Sequence, residues 1–222
     1  TIWVRFWEYG GNNNGTFNIC VTTPPPPPSN DDPCNAISLT VGNAVCNYTQ
    51  FTNAFAGNST GVPAPGCANY QGGDVWFTVT VPAGGALNFN TQQGVVTDAG
   101  MAIYSGSCDN LNLIDCDDDD SQNGLMPMIM STGLTPGATI WIRVWENGNN
   151  NNGTFGICVN TPPPAPGNDD PCGAININAA YTCNYTMYSN EGATTTAGAP
   201  VPGCASFTTP TASKPDVWFK VV

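Results

Sequence analysis

TIWVRFWEYGGNNNGTFNICVT (residues 1–22) and TIWIRVWENGNNNNGTFGICVN (residues 139–160) are one segment written twice, with sixteen of 22 positions identical at an offset of 138. In the second copy Ile140, Ile142 and Val144 fall on one side of an extended chain and Trp141, Arg143 and Trp145 on the other. That period of two is the signature of a strand with two differently occupied faces. A run of Asn and Gly follows, and GTFGICV (153–159) resumes the β pattern. Two β runs separated by such a break predict a hairpin. The protein is therefore expected to be all-β and built from repeated units.

Working outward, further landmarks recur in the same order. NDDPC at 30–34 returns at 168–172 (offset 138), CNYT at 46–49 returns at 183–186, and PGC at 65–67 returns at 202–204 (both offset 137). DVWF at 74–77 returns at 216–219, an offset of 142, so five residues are inserted before it. Offsets that drift only between landmarks indicate homologous units with variable loops. The chain divides into residues 1–22, the C-terminal hairpin of a preceding repeat; 23–29, a proline-rich linker; 30–160, a complete repeat; 161–167, a second proline-rich linker; and 168–222, the N-terminal part of a following repeat. Neither outer piece has a counterpart of residues 80–138, so the two do not make a whole unit, and the chain reads as a window of a longer polypeptide. TPPPPPSN and TPPPAPGN favour polyproline II, which makes them stiff spacers.

Other strand patterns are DVWFTVTV (74–81), ALNFN (86–90), GMAIYSG (100–106) paired with LNLID (111–115), and MPMIMST (126–132), whose proline marks an edge or a bulge. About eight short strands in a unit of this size predict a jelly-roll-like antiparallel β-sandwich.

The complete repeat holds six of the ten cysteines: Cys34, Cys46, Cys67, Cys108, Cys116 and Cys158. An even number, no histidine and no CxxC pair argue for disulfides and an oxidising compartment. Of the fifteen possible pairings, Cys108–Cys116 is suggested by their short separation, with Cys46–Cys67 and an end-to-end clasp Cys34–Cys158 completing the set. Four basic residues, Arg5, Arg143, Lys214 and Lys220, stand against sixteen acidic ones, for a net charge of −12. That balance excludes nucleic acid and anionic membrane as expected partners. No apolar run approaches the length of a membrane span.

The order NDDPCNAI, CNYT, PGC, GGDVWFTVTVPAGG, TDAGMAIYSGSC, LIDCDDDD, GLTPGATIWIRVWE, GTFGICV resembles the bacterial pre-peptidase C-terminal-like domains. It looks most like the cysteine-bearing, tandem versions in secreted and surface proteins of Bacteroidetes-type bacteria. The resemblance implies a jelly-roll β-sandwich without catalytic residues, appended to secreted peptidases or strung together in surface adhesins. Some relatives bind calcium through the linker before the first strand. The resemblance carries that role to Asn30, Asp31 and the strand-edge Asp74, although prolines occupy the positions where those relatives have flanking glutamates.

A second candidate calcium site comes from the residues themselves. Asp115, Asp117, Asp118, Asp119 and Asp120 crowd one loop, and calcium relieves such repulsion with six to eight oxygen ligands. The alternative is a solvated acidic loop. Trp141, Arg143 and Trp145, repeated as Trp3, Arg5 and Trp7, form either local packing with an aspartate partner for the arginine or a sticky face for a neighbouring domain or a sugar ring. Asn14, Asn47, Asn58, Asn152 and Asn184 begin N-x-Thr sequons, which double as turn and strand-edge residues. Catalysis has little support: there is no histidine and no GxSxG, and the acids cluster in one loop instead of facing each other across a cleft. The expected role is a structural repeat of a long extracellular filament or adhesin stalk on a bacterial cell surface, with other copies of itself as partners. The alternatives are a calcium-assisted binder of polysaccharide or a surface receptor, and an accessory module of a secreted hydrolase.

Overall fold

The computed structural model describes all residues except 44, 184, 197, 201–215 and 222, so Asn184, Cys204 and Lys214 lie outside the described residues. Residues 30–160 form a two-sheet β-sandwich. Its strands are β1 (Ile37–Ser38), β2 (Val41–Gly42), β3 (Thr49–Thr52), β4 (Val75–Thr80), β5 (Leu87–Gln92), β6 (Ala99–Ser107), β7 (Asn110–Asp117), β8 (Met128–Ser131), β9 (Thr139–Glu146) and β10 (Thr154–Asn160). One sheet runs β1-β4-β9-β6-β7. The other runs β2-β10-β5-β8, with β3 also pairing along β10. The long ladders are antiparallel, as expected, but the short edge strands β1 and β2 pair in parallel with β4 and β10. Pro127 directly precedes β8, which lies at the edge of its sheet.

Alternation decides which side chains fill the space between the sheets. Val75, Phe77 and Val79 of β4, with Ile140, Ile142 and Val144 of β9, face Leu87, Phe89, Phe155 and Ile157 of the opposite sheet, and all are buried. Phe77 packs edge-on against both Phe51 (4.8 Å between ring centres) and Phe155 (6.3 Å). Each such side chain contributes on the order of 1.5–3 kcal/mol through burial.

The expected hairpin at 139–160 is not one. β9 is the centre of the first sheet, between β4 and β6, whereas β10 belongs to the second, between β5 and the β2/β3 edge. The Asn/Gly segment between them arches from sheet to sheet. Its asparagines hydrogen-bond to other loops: Asn152 Oδ1 accepts from Asn53 (2.7 Å), and Asn151 donates to the Val95 carbonyl (2.9 Å). Both runs have partners on each flank, so neither needs the other.

Residues 1–22 contain no assigned strand, which corrects the hairpin expected there. The two arms approach each other, with Phe6 stacked on Phe17 at 3.8 Å, but the sheets that flank their twins are not present around them. In residues 168–222, β11 (Ile175–Ile177) and β12 (Phe219–Val221) pair in parallel. Ile175 faces Phe219 there just as Ile37 faces Phe77 in the complete unit. Among the described residues no helix is long and apolar enough to cross a membrane.

Candidate functional site

The outward face of β4, β6 and β9 carries Trp76, Tyr104 and Trp145, and it is covered. The long segment between β3 and β4 lays Val62, Ala68 and Tyr70 over it. At the centre sits Arg143, 1% exposed, with its Nε 3.0 Å from Asp74 Oδ2 and its guanidinium 4.1 Å from the Tyr70 ring centre and 5.2 Å from that of Trp76. The register that sets Trp76 opposite Arg143 brings Asp74, just before β4, within reach of the guanidinium.

Asp74 is fully buried and fully engaged. Its Oδ1 accepts from the Ser59 backbone (3.2 Å) and the Tyr70 hydroxyl (2.7 Å). Its Oδ2 accepts from Ser59 Oγ (2.7 Å), Trp76 Nε1 (2.9 Å) and Arg143 Nε (3.0 Å). Burial alone would push this carboxyl up; the Arg143 charge and these donors outweigh that and hold it below the usual carboxylate range. Burial works against the charge on Arg143 in turn, but Asp74 keeps the guanidinium firmly protonated. Burial, and then the bond to Asp74, raise the Tyr70 hydroxyl.

Part of the same network recurs among the described residues of 168–222. Trp218 Nε1 donates to Thr196 Oγ1 (2.8 Å) as Trp76 does to Ser59 (2.8 Å). Asp216 accepts from the Thr196 backbone (2.8 Å), Asp169 from that of Thr194 (2.6 Å), and Asn168 donates to the Trp218 carbonyl (3.1 Å). Each bond has its equivalent at Asp74, Asp31 and Asn30. Among the described residues, neither Arg143 nor Tyr70 has an equivalent there.

These facts correct two expectations. Trp141, Arg143 and Trp145 do not form an exposed interface or sugar-binding face: Arg143 and Trp145 are each 1% exposed and Trp141 is half-buried, because the chain's own loop occupies that surface. The aspartate partner foreseen as the alternative is Asp74. Trp3, Arg5 and Trp7 do lie on the surface, with Trp3 91% exposed and Arg5 6.0 Å from the Trp7 ring centre. Asn30, Asp31 and Asp74 do not fit a calcium ion either. Asp74 already receives five donors including a cation, Asn30 turns its amide to the Trp76 carbonyl (2.9 Å), and Asp31 caps the Gly57 backbone (2.6 Å).

The structure divides the acidic loop. Asp118 and Asp119 converge with Asp98, which the sequence reading did not select: ligand atoms of the three lie within 4.8 Å of one another. Asp117 turns away and accepts from the Met128 (2.9 Å) and Asp120 (3.1 Å) backbones. Asp118 Oδ1 is buried without a hydrogen-bond partner. Burial, then the charges of Asp119, Asp98 and Asp117, push the Asp118 carboxyl up. Asp117 foremost, then burial, does the same to Asp120. Asp98 stands alone in TDAG, with no neighbouring acid to signal it; only the β6–β7 pairing brings the two loops together.

All three expected disulfides are replaced. Cys34 pairs with Cys108, Cys46 with Cys158 and Cys67 with Cys116, at Cα separations of 4.9, 5.7 and 5.9 Å. Cys108–Cys116 fails because β6 and β7 are a hairpin in which Cys116 faces Ala102 while Cys108 sits in the turn. Six residues of strand separate those levels, roughly 20 Å. Cys116 instead holds Cys67 of the covering loop, Cys158 holds the segment between β2 and β3, and Cys34 ties the start of the unit to the β6–β7 turn. Cys20, Cys172 and Cys183 are unpaired and exposed.

No protein-family model matches the chain, and no curated protein matches it. Among solved structures, the chain is similar to the pre-peptidase C-terminal domain of a collagenase from Bacillus anthracis. The two share 12% identity with a TM-score of 0.33, over 62% of this chain and 99% of that one.

Proposed function

We propose that this chain is a structural repeat segment of an extracellular filament or adhesin stalk on a bacterial surface, self-associating through repeated domain surfaces and having no catalytic role. The carrying observation is that the described residues of 168–222 repeat several hydrogen bonds of the opening of residues 30–160 at equivalent positions. Each opening follows a proline linker, with the backbone N–H groups of Asp31 and Asp169 donating to linker proline carbonyls, Pro28 (3.2 Å) and Pro166 (3.0 Å). Units that begin identically after stiff spacers present the same surfaces at regular intervals, which is what a filament needs. Three disulfides suit exposure outside the cell. Electron microscopy of the purified protein tests this: ordered end-to-end assemblies are expected, and discrete particles at every concentration would refute it.

A second reading adds calcium. It is favoured by the buried, unpartnered Asp118 Oδ1 beside Asp98 and Asp119. Calcium there would relieve the repulsion that raises Asp118, as part of a binding module directed at polysaccharide or a surface receptor. Melting with calcium and with chelator decides it: a midpoint that rises with the ion supports this reading, and an unchanged midpoint removes it. A glycan array run with and without the ion addresses the polysaccharide.

A further inference from the structure

The linker of residues 161–167 is tied at both ends and lies against the unit that follows it. The Thr161 backbone N–H donates to the Gly42 carbonyl (3.2 Å), which carries the β2–β10 pairing into the linker. At the far end the Asp169 N–H donates to the Pro166 carbonyl (3.0 Å). Between these ties the linker passes over a turn of the following unit, Asn190 to Ala193, closed by the Ala193 N–H on the Asn190 carbonyl (3.0 Å). Gly192 is the third residue of that turn, at φ +75°, and the contact is made there. A Cβ at residue 192 would lie 2.6 Å from the Pro163 oxygen and 2.8 Å from the Pro164 oxygen. Both are backbone atoms, so only glycine admits the linker this closely.

The complete unit makes the same turn with a different residue at this point. Asn53 to Ala56 is closed by the same bond (3.0 Å), and its third residue is Phe55, at φ +66°. Left-handed backbone is unfavourable for a bulky side chain, so the turn itself would be better served by glycine. The interior of the unit does not need the ring either: Phe55 is 61% exposed although its own sandwich is complete. The third position of the turn therefore faces away from its unit. At Gly192 what lies on that side is the joint. A cleft of about 620 Å³ opens there, walled by Pro82, Ala86 and Met130 of the sandwich and by Pro163, Ala193 and Thr194 across from them. No charged residue lines it, so two units of an acidic chain come together here without like-charge repulsion.

We infer that this turn is the joint surface of each unit and that its third residue selects the kind of joint. Gly192 admits the linker, which docks and fixes the angle between residues 30–160 and the unit that follows. Phe55 bars a linker from the same path, because its Cβ would meet the carbonyls that Gly192 clears. The linkers 23–29 and 161–167 are equal in length, so they set a regular interval between units, while the turn sets their direction. A docked joint does not require a filament and would serve a discrete tandem protein equally well.

Residual dipolar couplings of the isotope-labelled chain test the joint. If it is docked, the backbone couplings of residues 30–160 and of the described residues of 168–195 fit one alignment tensor. Nuclear Overhauser cross-peaks should also connect the Gly192 α-protons to Pro163 and Pro164. In Gly192→Phe the couplings of the following unit should shrink at least about twofold relative to those of 30–160, as for units on a free tether, and the cross-peaks should vanish. The Trp218 indole N–H, which donates to Thr196 Oγ1 (2.8 Å), reports whether the following unit stays folded. If that signal moves in Gly192→Phe, Gly192→Asn decides, since asparagine tolerates left-handed backbone and keeps the turn while still adding a Cβ. Separate tensors in the unsubstituted chain, or absent cross-peaks, would overturn the docked joint. A single tensor retained in a folded Gly192 variant would overturn the selecting role of the glycine.

Discussion

Residues 139–160 and residues 1–22 are nearly the same sequence in two different states. The first supplies the central strand of each sheet and the most deeply held arginine in the molecule; the second has no assigned strand and exposes both tryptophans. One contact survives in both. The Asn150 backbone donates to Glu146 Oε2 (2.7 Å), and the Asn12 backbone to Glu8 Oε2 (3.0 Å). That bond spans four residues and needs nothing from outside the segment. The contacts to Asp74, Cys46 and Asn53 reach beyond it, and residues 1–22 make no counterpart of them among the described residues. A strand is thus a relation between segments, and identity within one segment does not supply it.

The comparison can be broken most severely at Arg143. Arg143→Ala leaves Asp74 buried and uncompensated and should cost about 3–5 kcal/mol in chemical denaturation. Arg5→Ala, where the side chain is exposed, should change the unfolding of the same sample by less than about 0.5 kcal/mol. Equal effects at both positions would refute the distinction.

Replacing Cys67 and Cys116 together by serine removes the tie that holds the covering loop, at a cost of about 2–5 kcal/mol. It should also expose Trp141 and Trp145, read as a red shift and stronger quenching of tryptophan emission. An unchanged spectrum would mean that the loop covers this face without the tie.

Gly100→Ala acts on the same layer from below. A Cβ at residue 100 would strike the Trp145 ring and Ala68 Cβ, so about 1–3 kcal/mol of overpacking is expected. Stability equal to the parent would show that Trp145 has room to shift.

The smallest effect expected is that of pH, and it has two signs. Asp118 and Asp120 are raised in the fold, so their repulsion burdens the native state at neutral pH and is relieved as pH falls through their raised values. Asp74 is lowered, so its contribution is present above the unfolded value of about 3.9 and is lost as pH falls through its folded one. Melting temperature should therefore climb slightly on mild acidification and drop below about pH 4. Asp118→Asn should flatten the climb and leave the drop.

How much was legible follows the same division. The alternation of Ile140, Ile142 and Val144 against Trp141, Arg143 and Trp145 foretold the two faces of β9, and the 138-residue offset relates the positions at which β11 repeats β1. Period and repetition are local properties of the chain, and they carried the fold class. The disulfides were misread because proximity in sequence stood in for proximity in space. Cys108 and Cys116 are eight positions apart and do not meet, while Cys46 and Cys158, separated by 112, do.

By itself, then, the amino-acid sequence determined the period-two pattern of the main strands, which of their faces is apolar and that cysteines would be paired. Only the tertiary structure decided that β9 and β10 belong to different sheets, that Arg143 and not a metal ion answers Asp74, that Asp98 joins Asp118 and Asp119, and which cysteine meets which. The physical reason is that strand pattern is set by neighbours two residues apart, whereas these choices depend on closing loops of tens of residues. Such closure is fixed by the packing of the whole sandwich, and no spacing within a segment encodes it.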